Sequence, residues 1–304
     1  MGRYVEEELA TQPACWQRAV DSAPGFAEVL PAPGERVAVV GCGTSLHIAS
    51  AYAAAREASG AGVTTAFPAS EARLAGDFDV LLAISRSGTT TEVLDVLSNA
   101  PAGMRRVVVT ADASAPIAGL AQDLIELEYA DERAVVQTRF ATTALVLLLA
   151  GLKIDMAPAI AQARTVLKQD VPTELVDRPH YIFLGRGWTI GVAAEAALKM
   201  REAAMAWTES YPALEYRHGP LSAATDGSVV WILGEPAPGL VADVSVSGAT
   251  VIAEALEPLA ELVRIQRIAV ATAHARGLDP DQPRHLTRSV ILTPGSTSPE
   301  ARPN

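Results

Sequence analysis

Short β-branched apolar runs alternate with longer amphipathic or alanine-rich stretches along most of this chain. Arg36–Val40, Gly62–Phe67, Val80–Ile84, Val107–Thr110 and Leu124–Leu127 have the length and residue types of strands. Between and after them, Ser45–Ser59 and Thr89–Leu97 carry helical spacing, and Ala141–Leu152 is an apolar run suited to a buried helix. The alternation restarts at Tyr181–Leu184. It continues through a helix from Thr189 to Trp207, strands at Val229–Leu233 and Gly248–Ile252, and a long helix at Pro258–Arg276. Strands that alternate with helices predict parallel sheets covered on both faces, because each crossover lays a helix on the sheet.

The pattern predicts an α/β chain built as a degenerate repeat of one unit. An N-terminal helix is expected within residues 1–30, a first lobe at 31–155, a linker helix at 156–178, and a second lobe with a C-terminal tail at 179–304. Pro31-Ala-Pro-Gly34 punctuates the first boundary. Residues 5–22 are expected to pack as an amphipathic helix outside the first lobe. The second lobe is the shorter, with little room for another strand after Val251.

Composition narrows the classes. The 304 residues suffice for a sizeable core, and 49% of them are apolar. A net charge of −11 argues against nucleic acid, whose backbone attracts basic surfaces, yet leaves room for one small anion held by local amides. The acidic N-terminus is unlike a signal peptide, and the longest apolar run is shorter than the roughly 20 residues that span a bilayer. A cytoplasmic protein away from membranes is expected. The two cysteines, Cys15 and Cys42, fit no zinc spacing and read as buried bystanders.

Two loops carry hydroxyls where an apolar strand runs into a helix. In Val39-Val-Gly-Cys-Gly-Thr-Ser-Leu-His47 the glycines turn the chain and Thr44 or Ser45 opens the helix. Free amides and the positive end of the helix dipole then face one place, although a plain turn capped by Ser45 has the same pattern. In Leu81-Leu-Ala-Ile-Ser-Arg-Ser-Gly-Thr-Thr90, Ser85, Ser87, Thr89 and Thr90 crowd one turn, where capping needs only one hydroxyl. Parallel sheets bind ligands at the carboxyl ends of their strands, so the two loops converge and indicate phosphate. Neither is a nucleotide P-loop or a dinucleotide fingerprint.

Further along, Glu195, Lys199 and Glu202 share one helix face, a spacing equally typical of a solvated salt-bridge face. The irregular segment Glu209–Pro220 follows and brings Glu215 and His218. A carboxylate and a histidine are what proton transfer beside a carbonyl requires. Near the C-terminus, Gly277–Ser289 reads as an extended tail carrying Arg284 and Arg288.

Together, Gly41–Ser45, Ser85–Thr90, Leu184–Gly187, Glu195–Glu202, Glu215–Pro220 and Asp281–Arg284 resemble the SIS (sugar isomerase) family. The chain is most similar to the isomerase half of glucosamine-6-phosphate synthase and to stand-alone amino-sugar-phosphate deaminases. The resemblance implies two flavodoxin-like lobes and a homodimer. It implies a sugar phosphate held by Thr44, Ser45, Ser85, Arg86, Ser87 and Thr90. Glu202 matches the base that moves a proton between C1 and C2. His218 matches the histidine that assists ring opening from across the dimer interface, and Glu195 and Lys199 match residues lining the site. No metal or cofactor is expected, since an enediol or enolamine route uses acid–base groups alone.

Three departures bear on activity. Arg288 stands where a lysine is usual; a guanidinium forms no Schiff base, but Arg288 is expected to hold a substrate oxygen in the catalytic site. Arg86 replaces the usual glutamine, and Arg139 also takes a lysine position. No glutaminase domain precedes the leader segment, so glutamine-dependent synthesis is not expected. The expected function is aldose–ketose isomerisation or deamination of an amino-sugar 6-phosphate. A catalytically silent phosphosugar sensor and a fructosamine-6-phosphate deglycase are the alternatives.

Overall fold

The computed structural model describes residues 2–292, and residues 293–304 of the expected tail lie outside them. The first sheet contains β1 (Val37–Gly41), β2 (Thr64–Pro68), β3 (Val80–Ser85), β4 (Arg105–Thr110) and β5 (Asp123–Glu126). All its pairings are parallel, in the order β2-β1-β3-β4-β5, which is the doubly wound flavodoxin-like order. The second sheet contains β6 (His180–Gly185), β7 (Thr208–Pro212), β8 (Ser228–Ile232) and β9 (Thr250–Ile252), also parallel, in the order β7-β6-β8-β9. Among the described residues it repeats the first order without a fifth strand. Every residue of β1, β3 and β8 is buried, as central strands covered on both faces require.

Eight helices connect the strands among the described residues: α1 (Arg3–Ser22), α2 (Thr44–Ala58), α3 (Thr91–Ser98), α4 (Arg139–Gly151), α5 (Ala157–Val166), α6 (Thr189–Ala204), α7 (Leu240–Ser245) and α8 (Pro258–Ala275). None is long and apolar enough to cross a membrane.

The period-2 geometry of strands divides their side chains between cores. On one face, Val37, Val39, Leu82, Ile84, Val107 and Val109 join Tyr181, Phe183, Val229 and Trp231 of the other sheet in one continuous cluster. The opposite face of the first sheet packs Val40, Leu81, Ala83 and Val108 on Val93 and Leu97 of α3. The opposite face of the second packs Ile182, Leu184, Val230 and Ile232 on Leu240 and Val244 of α7. The two sheets therefore share a central layer of helices.

That layer differs from expectation in one respect. Helix α1 does not sit outside the first lobe but ties the two halves together. Trp16, fully buried, donates to Thr142 Oγ1 of α4 at 2.9 Å, and Gln12 donates to Gln266 Oε1 of α8 at 2.8 Å while accepting from Thr142 at 2.7 Å. Its first turn is held by the C-terminal chain. The Asp281 carboxylate accepts from the backbone N–H groups of Tyr4 at 3.0 Å and Val5 at 2.8 Å, taking up donors that a helix start leaves free. The tail thus does more than cover the core.

Two elements escaped the sequence pattern. Strand β7 occupies part of the segment expected to be irregular; its residues, Thr-Glu-Ser-Tyr-Pro, are half-buried on a sheet edge and show no apolar alternation. Helix α7 is only six residues long. Helix α6 also stops at Ala204, before the expected Trp207, because Met205 turns into the left-handed region at φ 52°.

The halves meet where α2 crosses α6 at Gly191. A Cβ there would lie 2.6 Å from Ala51 N and 2.6 Å from His47 O, both backbone atoms of α2. Only glycine permits this approach. We expect Gly191→Ala to cost about 1–3 kcal/mol in urea unfolding, the range for overpacking, despite alanine's better helix propensity. Gly119→Ala, with open space around the new methyl, should change stability by less than about 0.5 kcal/mol.

Candidate active site

The turn from β1 into α2 and the turn from β6 into α6 have the same construction. Gly41 and Gly185 end their strands where a Cβ would strike the following helix, 2.6 Å from Ser45 C and 2.3 Å from Thr189 O respectively. Gly43 and Gly187 each adopt φ 54° two residues later. The hydroxyls then diverge. Thr189 Oγ1 is consumed internally, accepting from Arg186 N at 2.8 Å and lying 3.0 Å from both Arg186 O and Leu233 O. The Ser45 hydroxyl makes no hydrogen bond among the described residues. Of the two copies of this turn, the first is the one left open to a ligand.

Ser45 faces the second hydroxyl loop at the carboxyl ends of β1 and β3. Ser45, Ser85, Arg86, Ser87, Thr90 and Arg288 line one small pocket together with Cys42, Ile84, Val93 and Gln137. The loop is ordered by its own hydroxyls. Ser85 Oγ accepts from Gly88 N at 3.3 Å, and Ser87 Oγ accepts from Thr89 N at 3.3 Å and from Thr89 Oγ1 at 3.1 Å. As acceptors in those bonds, Ser85 and Ser87 keep their own hydrogens to give to an anion. Gly88 is required at φ 63°, where a Cβ would also meet Ala115 Cβ at 2.6 Å.

The two arginines at this pocket are committed elsewhere as well. Arg86, 2% exposed, donates to Ala134 O at 3.0 Å and to Arg288 O at 3.1 Å, leaving Nε buried without a partner. Arg288 donates to Asp131 Oδ1 at 2.6 Å and to the carbonyl of Glu132. The tail then runs over the hydroxyl loop: Ser289 Oγ lies 2.9 Å from Thr89 Oγ1, and Thr91 N donates to Val290 O at 3.2 Å. Arg139, the other arginine at a lysine position, lies away from the pocket and donates to Asp131 O and to Thr11 Oγ1 at 2.9 Å.

Behind Ser45, its neighbour Thr44 faces the second sheet. Thr44 Oγ1 accepts from Lys199 Nζ of α6 at 2.8 Å. Lys199 is 1% exposed and also contacts Glu202 Oε2 closely and Glu195 Oε1 at 3.4 Å. The expected shared face is therefore a buried ion cluster rather than a solvated salt bridge. Burial disfavours the ammonium, but Glu195 and Glu202 outweigh it and hold the Lys199 pKa above its ordinary value. Glu195 is fully buried with neither carboxylate oxygen well aligned to a donor. Burial pushes its pKa up to about 8, opposed by Lys199. Nearby on α2, burial and then Lys199 lower the His47 pKa to about 4, keeping it neutral.

Glu202 does not line the hydroxyl pocket. It borders a second small space with Met205, Gln282 and Arg284, and the two are linked through Thr44 and Lys199. His218 and Glu215 lie exposed after β7 and reach neither pocket within this chain. Sequence reasoning missed Gln137, whose position before α4 carried no motif, and took Cys42 for buried, whereas it is half-buried on the pocket wall. No group of three His, Cys, Asp or Glu residues among the described residues is placed to hold a metal ion.

The stability of the fold should register Glu195. A carboxyl whose pKa is about 8 when folded and near 4.5 when unfolded keeps its proton in the folded state across that interval. Its favourable contribution is present below the lower value and is lost as pH rises through the upper one. Urea unfolding at pH 5 and pH 8 should therefore show Glu195→Gln gaining stability relative to the wild type as pH rises. A difference that stays constant would mean that Glu195 is ionised in the fold.

The model of the SIS domain matches residues 32–152. A glutamine–fructose-6-phosphate aminotransferase (isomerizing) of Gloeobacter violaceus is 28% identical over an alignment covering 88% of this chain and 54% of that protein. The chain spans about half the length of such relatives. Among solved structures, glucosamine-6-phosphate deaminase of Thermotoga maritima superposes with a TM-score of 0.76 at 24% identity, covering 94% of this chain and 99% of that one. The C-terminal domain of glucosamine-fructose-6-phosphate aminotransferase from Francisella tularensis gives 0.78 at 20% identity, covering 92% and 98%. At these identities the two superpositions show a common fold. The segment that matches the SIS-domain model, residues 32–152, contains both hydroxyl loops, residues 41–45 and 85–90.

Proposed function

We propose that this chain is a phosphosugar isomerase or deaminase acting on an amino-sugar 6-phosphate, with aldose–ketose proton transfer between C1 and C2. The observation that carries the reading is the two-way geometry of Thr44 and Ser45. One hydroxyl faces the pocket lined by the two hydroxyl loops, and its neighbour holds the buried cation that grips Glu202.

In this proposal Ser45, Ser85, Ser87 and Thr90 donate to the phosphate, with the helix starts of α2 and α3 adding their dipoles. Arg86 adds positive charge and a free Nε–H. Glu202 takes the proton from C2 of the open-chain sugar and returns it to C1. Lys199 keeps that carboxylate anchored, and Glu195 lies 3.4 Å from the same ammonium. Arg288, held by Asp131 and the Glu132 carbonyl, orders the tail across the hydroxyl loop. His218 assists ring opening in a homodimer that brings it from the neighbouring subunit, consistent with its exposure away from Glu202 in one chain. The engagement of Arg288 also favours a second reading, a sensor that binds without turnover.

General acid–base catalysis contributes about 10²–10⁴-fold, so Glu202→Gln should lower turnover by that factor while retaining ligand affinity. The assay is ammonia release from glucosamine 6-phosphate, with deuterium uptake at C2 in D₂O followed by NMR. Deuterium uptake without ammonia would identify a plain isomerase. Binding with neither signal, in wild type and variant alike, would establish the sensor and sink the enzyme reading. Mixing Glu202→Gln with His218→Ala subunits tests the shared site: activity should reappear in mixed dimers, up to about a quarter of the wild-type level if half the chains pair across types. Its failure to reappear would place His218 outside the site.

A further inference from the structure

The hydroxyl pocket is rich in donors. Ser45, Ser85, Ser87 and Thr90 can all give hydrogens to it, and Arg86 Nε is a buried N–H without a partner. One lining group has the opposite character. Gln137 Oε1 is buried and accepts no hydrogen bond among the described residues, and the Gln137 amide makes no side-chain hydrogen bond to them at all. A buried carbonyl oxygen left unmatched is destabilising, so a pocket that keeps one gains when a ligand supplies a donor.

The oxygen is also held in place. Gln137 precedes Thr138, whose backbone N–H donates to Glu132 Oε1 at 2.6 Å and whose hydroxyl donates to the same atom at 2.8 Å. Glu132 goes on to receive Arg139 N at 2.8 Å and Phe140 N at 3.2 Å, clamping the start of α4. The preceding residues are fixed by Glu8 of α1, which accepts from Arg133 N at 2.5 Å and Ala134 N at 3.4 Å. The backbone that presents Gln137 is therefore pinned on both sides, so the amide meets a ligand with little reorganisation.

An ionised phosphate only accepts hydrogen bonds, so it repels a carbonyl oxygen. The partner of Gln137 Oε1 is therefore a donor group on a different part of the ligand, while Nε2 keeps its own hydrogens to give. We infer that Gln137 is a specificity-determining residue: its amide oxygen accepts a hydrogen bond from a hydroxyl or ammonium group of a sugar whose phosphate occupies the serine and threonine loop. This rests on the phosphosugar reading above and adds to it a requirement for a donor group on the carbon chain. The pocket selects polyhydroxylated phosphates over bare or alkyl phosphates.

The test is calorimetric titration of wild type, Gln137→Met and Gln137→Glu with three probes: inorganic phosphate, n-butyl phosphate and glucosamine 6-phosphate. Thermal unfolding of each variant confirms folding. Gln137→Met keeps the side-chain length without the acceptor. It should weaken glucosamine 6-phosphate about tenfold, equivalent to ~1.4 kcal/mol, and leave the other two within about twofold. Gln137→Glu keeps an acceptor but adds negative charge, so it should weaken all three probes while preserving the preference for the sugar. Equal loss of all three probes in Gln137→Met, or no loss of any, would overturn the inference while the phosphate site stands. Binding of no probe by the wild type would instead overturn the phosphosugar reading, and this inference with it.

Discussion

A lysine ammonium with 1% of its surface exposed sits between the two sheets, and the candidate site is organised around it. Taking such a charge out of water costs several kcal/mol unless partners replace the hydration shell. Lys199 has three: Thr44 from α2 and Glu195 and Glu202 from its own helix. Two of them lie one turn either side of it, so α6 alone supplies most of the compensation. The third comes from the helix that begins at the ligand loop. This links the pocket at the end of the first sheet to the carboxylate on the second. It is possible only because Gly191 lets α2 and α6 approach to backbone contact.

The second organising feature is a set of buried carboxylates that take up main-chain donors, two of them from elements far away in sequence. Asp281 holds the first turn of α1, Glu8 of α1 holds residues 133 and 134, and Glu132 holds the start of α4. Each accepts from N–H groups that a helix start or an irregular loop leaves unmatched. The burial that lifts the Glu8 pKa to about 7 is opposed by those same amides. The series runs from the C-terminal chain to the wall that carries Gln137, and Arg86 and Arg288 cross-link that wall to the hydroxyl loop and tail. The leader helix is in this way part of the site's scaffold.

Internal duplication explains why the halves look alike and bind differently. Both sheets begin with a strand, a Gly-x-Gly turn and a helix, and both glycine pairs are demanded by the same close approach and the same left-handed backbone. The second turn closes on itself through Thr189, and β8, the counterpart of β3 in the sheet order, leads into Leu233-Gly-Glu-Pro236 instead of a hydroxyl cluster. The half that lacks the cluster is also the one that, among the described residues, lacks a fifth strand. The second lobe retains the scaffold and contributes charge in place of phosphate donors.

Much of this was legible along the chain, for local reasons. Buried parallel strands need continuous apolar runs, so β1, β3, β6 and β8 were visible, as were the hydroxyl turns at Ser45 and Ser85–Thr90, because turn and capping chemistry is set by neighbouring residues. The helical spacing of Glu195, Lys199 and Glu202 likewise determined that they share a face. What that face meets was not determined. A charge triplet reads the same in water as in a core, and only the crossing of α2 over α6 buried it against Thr44. Strand β7 was hidden because its stability comes from the edge it pairs with and not from its own residues. The position of α1 across both halves, the capture of its amides by Asp281 and the placing of Gln137 in the pocket join residues more than a hundred positions apart or carry no motif. Such contacts exist only once loop closure has been paid for by the packing of the whole chain, so tertiary structure alone decided them.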